Sequence, residues 1–209
     1  MMNDYKRMEQ GLIYDPGVDE IMGEQEKLLE KLYDYNMTRP SEGKKRYEML
    51  KSMLGACGEG VYLEPPFHAN WGGKHCFLGD YVYANFNLTL VDDGNIYVGE
   101  RTLFGPNVCV ATPNHPLDPS LRMKSLQYNK DVHIGKNVWI GANTVIVPGV
   151  TIGDNAVIGA GSVVTKDIPE NVLALGVPCR VLREIGEHDR EFFYKEEKID
   201  WEEVQKYLE

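Results

Sequence analysis

Between Ile134 and Pro169 an apolar side chain returns every six residues, at Ile134, Ile140, Ile146, Ile152, Ile158 and Val164. A second register, four residues after each of these, holds Val138, Thr144, Val150, Ala156, Ser162 and Ile168. An α-helix turns about 600° over such a step, which would scatter the repeat around its surface. Pro148 and the six glycines of the stretch also count against a helix interior. Six extended residues cover about 20 Å, the flat side of a solenoid. Both registers then point inward, and Gly135, Gly141, Gly153 and Gly159 stand beside the core residue where the chain is expected to turn. The pattern returns again at eighteen. Residues 134–145 (IGKNVWIGANTV) and 152–163 (IGDNAVIGAGSV) share both Ile-Gly pairs, Asn137 with Asn155, Ala142 with Ala160, and Val145 with Val163. Three sides therefore make one triangular coil, and the coils stack as parallel strands.

The same rule holds more loosely upstream. Leu78, Ala84 and Leu90 keep step, "DDGN" (92–95) shifts the phase, and Val98, Phe104 and Val110 resume it. Residues 111–131 leave the pattern before Val132 re-enters, so the solenoid is expected from about Val61 to about Leu182 with one loop excursion. Ahead of it, residues 19–36 place Ile21, Leu28, Leu29, Leu32 and Tyr35 at helical spacing. Ser41 is the expected N-cap of a second amphipathic run that closes at Gly55 or Gly58. The organisation predicted is a helical cap over 1–58, a β-helix over 59–185 and a charged, aromatic appendage over 186–209. The cap would cover the open first coil, which otherwise exposes unpaired backbone and apolar core.

Composition narrows the partners. A formal net charge of −10 over 209 residues argues against nucleic acid or an anionic membrane as the main partner. No apolar run approaches the roughly 20 residues that span a bilayer, and the N-terminus lacks the basic-then-apolar order of a signal peptide. Cys57, Cys76, Cys109 and Cys179 lie far apart without zinc-ligand spacing. Reduced thiols, no metal and a cytoplasmic location are the expectation. The excursion carries "VATPNHPLDP" (110–119), where His115 stands between Pro113 and Pro116 on a stiffened loop.

Hexapeptide repeats broken by a loop with "NHP" resemble the left-handed β-helix acyltransferases. "EPPF" (64–67), "YANFNLTLVDD" (83–93), "VWIGANTVIVPGVTIGDNAVIGAGSVVTKDIP" (138–169) and "GVPCRVLREI" (176–185) are similar to the galactoside and maltose O-acetyltransferase group. The resemblance covers nearly all of the chain before residue 186. It implies a left-handed coil, a homotrimer, acetyl-CoA bound in a groove, and transfer of acetyl to a sugar hydroxyl. A thiolate leaves readily because a thiol pKa is only about 8.5, so removing the hydroxyl proton is the demanding step. An imidazole titrating near neutrality suits that task. By motif position His115 is the implied general base. The family more often has Gly where this chain has Asn114, and Asn tolerates the positive φ that such a turn would need.

Family position also nominates Asp15, Asn70, Asn85 and Asp93 for the acceptor sugar. Asp92-Asp93-Gly94-Asn95 reads equally well as a turn. For coenzyme A the resemblance implies Lys166, Arg180 and Arg183 at the phosphates, the backbone of Ala142, Ala160 and Thr165 along the pantetheine arm, and Trp139 packing against it or serving a trimer interface. Trp71 and Gln127 are rim positions expected to shift the choice of sugar, galactoside or maltose. Cys109 invites a covalent alternative but has no basic partner in sequence to lower its pKa. Two other classes use such solenoids. A γ-type carbonic anhydrase expects paired ligand histidines near the loop, and the position five beyond His115 is Ser120. A non-catalytic scaffold has no need of the His115 loop or the basic C-terminal end.

Overall fold

The computed structural model describes residues 2–208. Its body is a triangular solenoid whose sides are three stacked sheets of parallel strands. The first face stacks Ala56–Cys57, Cys76–Leu78, Ile96–Val98, Val132–Ile134 and Thr151–Ile152. The second stacks Tyr62–Leu63, Tyr83–Ala84, Leu103–Phe104, Trp139–Ile140, Val157–Ile158 and Val172–Leu175. The third stacks His68–Ala69, Thr89–Val91, Cys109–Ala111, Val145–Ile146 and Val163–Val164. Pairing brings Ile134 against Ile152, Ile140 against Ile158 and Ile146 against Val164, the eighteen-residue step read from the sequence. All twelve residues of the two registers are buried, Thr144 and Ser162 among them. Their hydroxyls donate to the carbonyls of Gly141 and Gly159, which removes the penalty of burying them.

The corners correct one expectation. Gly135, Gly141, Gly153 and Gly159 do not supply the turn; the left-handed conformation belongs to Asn137, Asn143, Asn155, Asn171 and Gly161. Asparagine suits it because its short amide bonds locally. Here the amides also form ladders between coils: Asn137 donates to Asn155 at 2.9 Å and Asn155 to Asn171 at 2.9 Å. The glycines are there for contact. A Cβ at Gly141 would stand 2.5 Å from the backbone nitrogen of Ala160 in the next coil.

Three helices precede the body: α1 (Asp4–Glu9), α2 (Asp19–Asn36) and α3 (Gly43–Met53). Leu32 and Tyr35 of α2 and Leu50 and Met53 of α3 join the solenoid core, covering its first coil. Tyr35 donates to the Leu63 carbonyl at 2.6 Å, and the Asn36 amide bonds both backbone groups of Phe67. Leu29, expected on the apolar face, is 40% exposed. The N-cap of α3 is Glu42 rather than Ser41, and its carboxylate accepts from the Arg39 amide instead of capping the helix. Parallel pairing begins at Ala56, ahead of Val61, because Ala56–Cys57 already pairs with Phe77–Leu78. At the far end the parallel stack stops at Leu175, and Arg180–Glu184 returns antiparallel to it.

The excursion is a hairpin pairing Pro113–Asn114 with Tyr128–Asn129, with a short helix, α4 (Pro119–Arg122), near its tip. It is anchored by the N-terminal segment: Tyr14 and Gln127 exchange backbone hydrogen bonds, and Met8, Tyr14, Ile21 and Trp71 form a second apolar cluster beneath it. Beyond Gly186 a helix (Glu187–Glu191) and a hairpin (Phe192–Tyr194 with Glu197–Lys198) lie outside the core. The helix and the outer side of the second face, including Trp139 and Val157, border a cavity of about 570 Å³. No helix among the described residues is long and apolar enough to cross a membrane.

Candidate active site

His115 leaves the hairpin strand exposed to solvent, and two contacts fix it. Its amide donates to Asn114 Oδ1 at 2.9 Å, and its ring Nδ1 lies 2.8 Å from the Leu126 carbonyl oxygen just ahead of the returning strand. A carbonyl only accepts, so Nδ1 carries the proton and neutral His115 presents a bare Nε2 lone pair. Asn114 is extended, outside the left-handed region, so the turn inferred for it is absent. Its side chain acts instead as a brace for the His115 backbone.

One residue after Leu126, the hairpin reaches a carboxylate. Gln127 Nε2 donates to Asp93 Oδ1 at 3.0 Å, and Asn70 Nδ2 donates to Asp93 Oδ2 at 2.8 Å. The Asn129 amide holds the Asp93 backbone carbonyl at 2.9 Å. Gln127 also donates to the Tyr14 hydroxyl. Burial, reinforced by the Asp93 charge, raises the Tyr14 pKa to about 12 and keeps that hydroxyl protonated. The corner between the third and first faces therefore gathers His115, Asp93, Asn70, Gln127 and Tyr14. Asp15 is next to this set in sequence, but its own bonds are local, from its amide to Asp4 and from Gly17 to its carboxylate. Trp71, expected on the rim, is wholly buried in the second apolar cluster.

Asn85 stands elsewhere, on the corner between the second and third faces. The pairing of Ala84 with Phe104, Phe104 with Ile140 and Ile140 with Ile158 stacks Asn85 in line with Gly105, Gly141 and Gly159. Ala142 and Ala160 are the next residues along that edge. Gly105 and Gly141 close against the backbone of the next coil, leaving an edge of small groups that leads towards Asn85. Thr165 and Lys166 follow the last strand of the third face, where Cys179 N donates to the Val163 carbonyl and brings Arg180 alongside. Trp139 is 56% exposed on the second face. Arg183 is engaged: both its terminal nitrogens contact Asp189 at 2.7 Å, and the pair holds that carboxyl far below the usual range. One chain therefore brings Asn70 and Asp93 together at one corner, leaves Asn85 on another, and spreads Ala142, Ala160, Thr165, Lys166, Arg180 and Arg183 over the C-terminal coils.

Cys109 lies on the third face, and burial raises its thiol pKa. A protonated thiol is a poor nucleophile. Among the described residues no group of three His, Cys, Asp or Glu side chains is placed to hold a metal ion. Sequence reading did not single out Tyr14 or Asn129; apolar and turn-like neighbours gave them no distinguishing pattern.

Residues 7–58 match a maltose acetyltransferase hexapeptide capping motif, and residues 131–166 match a bacterial transferase hexapeptide (six repeats). The chain is 46% identical to a galactoside O-acetyltransferase of Lactococcus lactis, across 97% of this chain and 98% of that one. It is 47% identical to the galactoside O-acetyltransferase of Escherichia coli, across 81% and 83% of the two chains. A galactoside acetyltransferase in complex with coenzyme A superposes with a TM-score of 0.92 at 42% identity, covering 96% of this chain and all of that one. A maltose O-acetyltransferase from Clostridium difficile gives 0.86 at 38%, covering 89% of this chain and 99% of its own.

Proposed function

The chain belongs to the galactoside and maltose O-acetyltransferase family of hexapeptide-repeat, acetyl-CoA-dependent enzymes, and from that premise we propose that it acetylates a galactoside hydroxyl by direct transfer, with His115 as general base. The observation that carries this reading is the Nδ1 contact to Leu126, which leaves Nε2 as the free basic atom at the corner that also holds Asp93. The acceptor hydroxyl attacks the thioester carbonyl as its proton passes to His115 Nε2. The tetrahedral intermediate then collapses, the C–S bond breaks, and coenzyme A leaves as thiolate to be protonated. General-base assistance of this kind typically contributes about 10²–10⁴-fold.

Acceptor binding is assigned to Asp93, Asn70, Asp15 and Asn85. Asp93 accepts hydrogen bonds through both oxygens while Asn70 and Gln127 fix its rotamer, so a sugar hydroxyl meets a carboxylate already oriented. The coenzyme is assigned to the edge that carries Ala142 and Ala160, with Thr165, Lys166, Arg180 and Arg183 towards its phosphates and Trp139 along its arm. The two corners favour a trimer. A single chain holds Asn85, Ala142 and Ala160 on one edge and His115 with Asp93 on another; a neighbouring copy joins them into one site. Two relatives at 46% and 47% identity, both named galactoside O-acetyltransferases, favour galactosides over maltose as acceptor.

Thiol release from acetyl-CoA, measured with β-galactosides, maltose, glucose and no acceptor, tests the assignment. Release that depends on a galactoside supports it. Release driven by maltose or glucose moves the chain to the other branch, and sugar-independent release overturns a sugar acceptor.

A further inference from the structure

Asp92 and Asp93 are consecutive, yet their carboxylates face opposite ways. Both residues are buried, but Asp93 is held by the side chains of Asn70 and Gln127, whereas Asp92 is wholly enclosed. Beside the buried Cys76 thiol, which it contacts, Asp92 is met by backbone donors: Trp71 N donates to one oxygen at 2.7 Å and Gly73 N to the other at 3.1 Å. His75 N lies 3.4 Å from that second oxygen, while its ring Nδ1 donates to the Asp92 carbonyl at 2.6 Å. Alternate amides of "NWGGKH" (70–75) thus converge on one anion. Such a nest needs left-handed backbone between its donors, and Gly72 and Gly73 supply it with φ of +62° and +91°. Burial pushes the Asp92 pKa up, and the amide donors oppose that shift by favouring the charged form.

Asn70 begins this loop. Its side chain donates to Asp93 at 2.8 Å, its amide to Leu90 at 3.2 Å, and its carbonyl accepts from Gln25 of α2 at 2.9 Å. The peptide that follows Asn70 is the one Asp92 clamps at its nitrogen end. We infer that Asp92 is a positioning residue for the acceptor: its buried carboxylate wraps residues 70–75 into the shape that sets Asn70 against Asp93, so that one aspartate builds the loop and its neighbour uses it. The inference rests on the assignment of Asn70 and Asp93 to the acceptor.

A double-mutant cycle with acetyl-CoA and sugar varied separately tests it. Asp92→Asn keeps the shape but turns an NH₂ towards the amides of Gly73 and His75. It is expected to raise the sugar KM about tenfold, the scale of a hydrogen bond to a charged group, and to leave the acetyl-CoA KM unchanged. Asn70→Ala is expected to do the same. Because Asp92 acts through Asn70, adding Asp92→Asn to Asn70→Ala should then cost almost nothing more, whereas independent effects would multiply. Multiplying effects, or a change shared by both substrates, would overturn the inference. Asn70→Ala with an unchanged sugar KM would overturn the acceptor assignment instead. Amide exchange at Trp71 and Gly73, accelerated in Asp92→Asn, reports the clamp independently of turnover; unchanged exchange would remove it. Asp92→Ser, smaller and with one acceptor left, provides the same comparison if the asparagine variant does not fold.

Discussion

Gln127 Nε2 stands 3.0 Å from Asp93 Oδ1, and with Asn70 on the other oxygen it fixes the carboxylate in one orientation. The hairpin that carries His115, the proposed general base, thereby also aims Asp93, the carboxylate proposed for the acceptor. Replacing Asp93 by Ala removes a charged hydrogen-bond acceptor, a loss of about 1.5–3 kcal/mol. The sugar KM is expected to rise about ten- to hundredfold, with coenzyme affinity retained. Steady-state kinetics with each substrate varied in turn checks this, and a matching rise in the acetyl-CoA KM would count against it.

Arg180 and Arg183 differ as probes of the proposed phosphate site. Arg183 spends both terminal nitrogens on Asp189, whereas the Arg180 side chain makes one bond, to the adjacent Cys179 carbonyl. Arg180→Ala is therefore expected to raise the acetyl-CoA KM several-fold, about the effect of one charge-assisted contact, without changing sugar affinity. A selective loss of sugar affinity would refute the assignment.

Cys109→Ala is expected to keep wild-type turnover. The thiol is held protonated by burial, with no cation to offset it. A trapped acetyl-enzyme, seen as an added acetyl mass on Cys109 after mixing with acetyl-CoA alone, would contradict direct transfer.

Two glycines separate close approach from backbone strain. Gly141→Ala drives a Cβ to 2.5 Å from the Ala160 nitrogen, and backbone cannot give way as a flexible side chain can. Overpacking of that kind costs about 1–3 kcal/mol. At Gly161 nothing lies within 4 Å of an added Cβ, and the cost is the strain of φ +71° alone, about 1–2 kcal/mol. Thermal unfolding of the two variants should place Gly141→Ala lower; the reverse order would contradict the stacking account.

The pattern at 134–169 was readable because a single constraint, an inward side chain on every flat side, recurs without interruption. Burial of Ile134 through Ile168 follows it position by position. Corners were harder: a glycine beside a core residue looks like a turn, while the residue in the left-handed region is the asparagine two positions on, as Gly135 and Asn137 show. The α3 boundary falls at Glu42 rather than Ser41, and the Glu42 carboxylate is engaged by the Arg39 amide instead of capping the helix, a local bond that no propensity describes. In the candidate site, His115 stood out because it interrupts a strict repeat. Tyr14 and Asn129 were not, since their roles arise where the N-terminal segment, the hairpin and the Asp93 corner meet across long stretches of chain. Trp71 was misplaced on the rim for the same reason: the segment that buries it is distant in sequence.

The most direct test of the account is single-turnover thiol release by His115→Ala, beside a measurement of acetyl-CoA binding. With Nε2 gone, release in the presence of the sugar is expected to fall by about 10²–10⁴-fold while the coenzyme binds as in the wild type. Release at the wild-type rate with the imidazole absent would remove His115 from the mechanism.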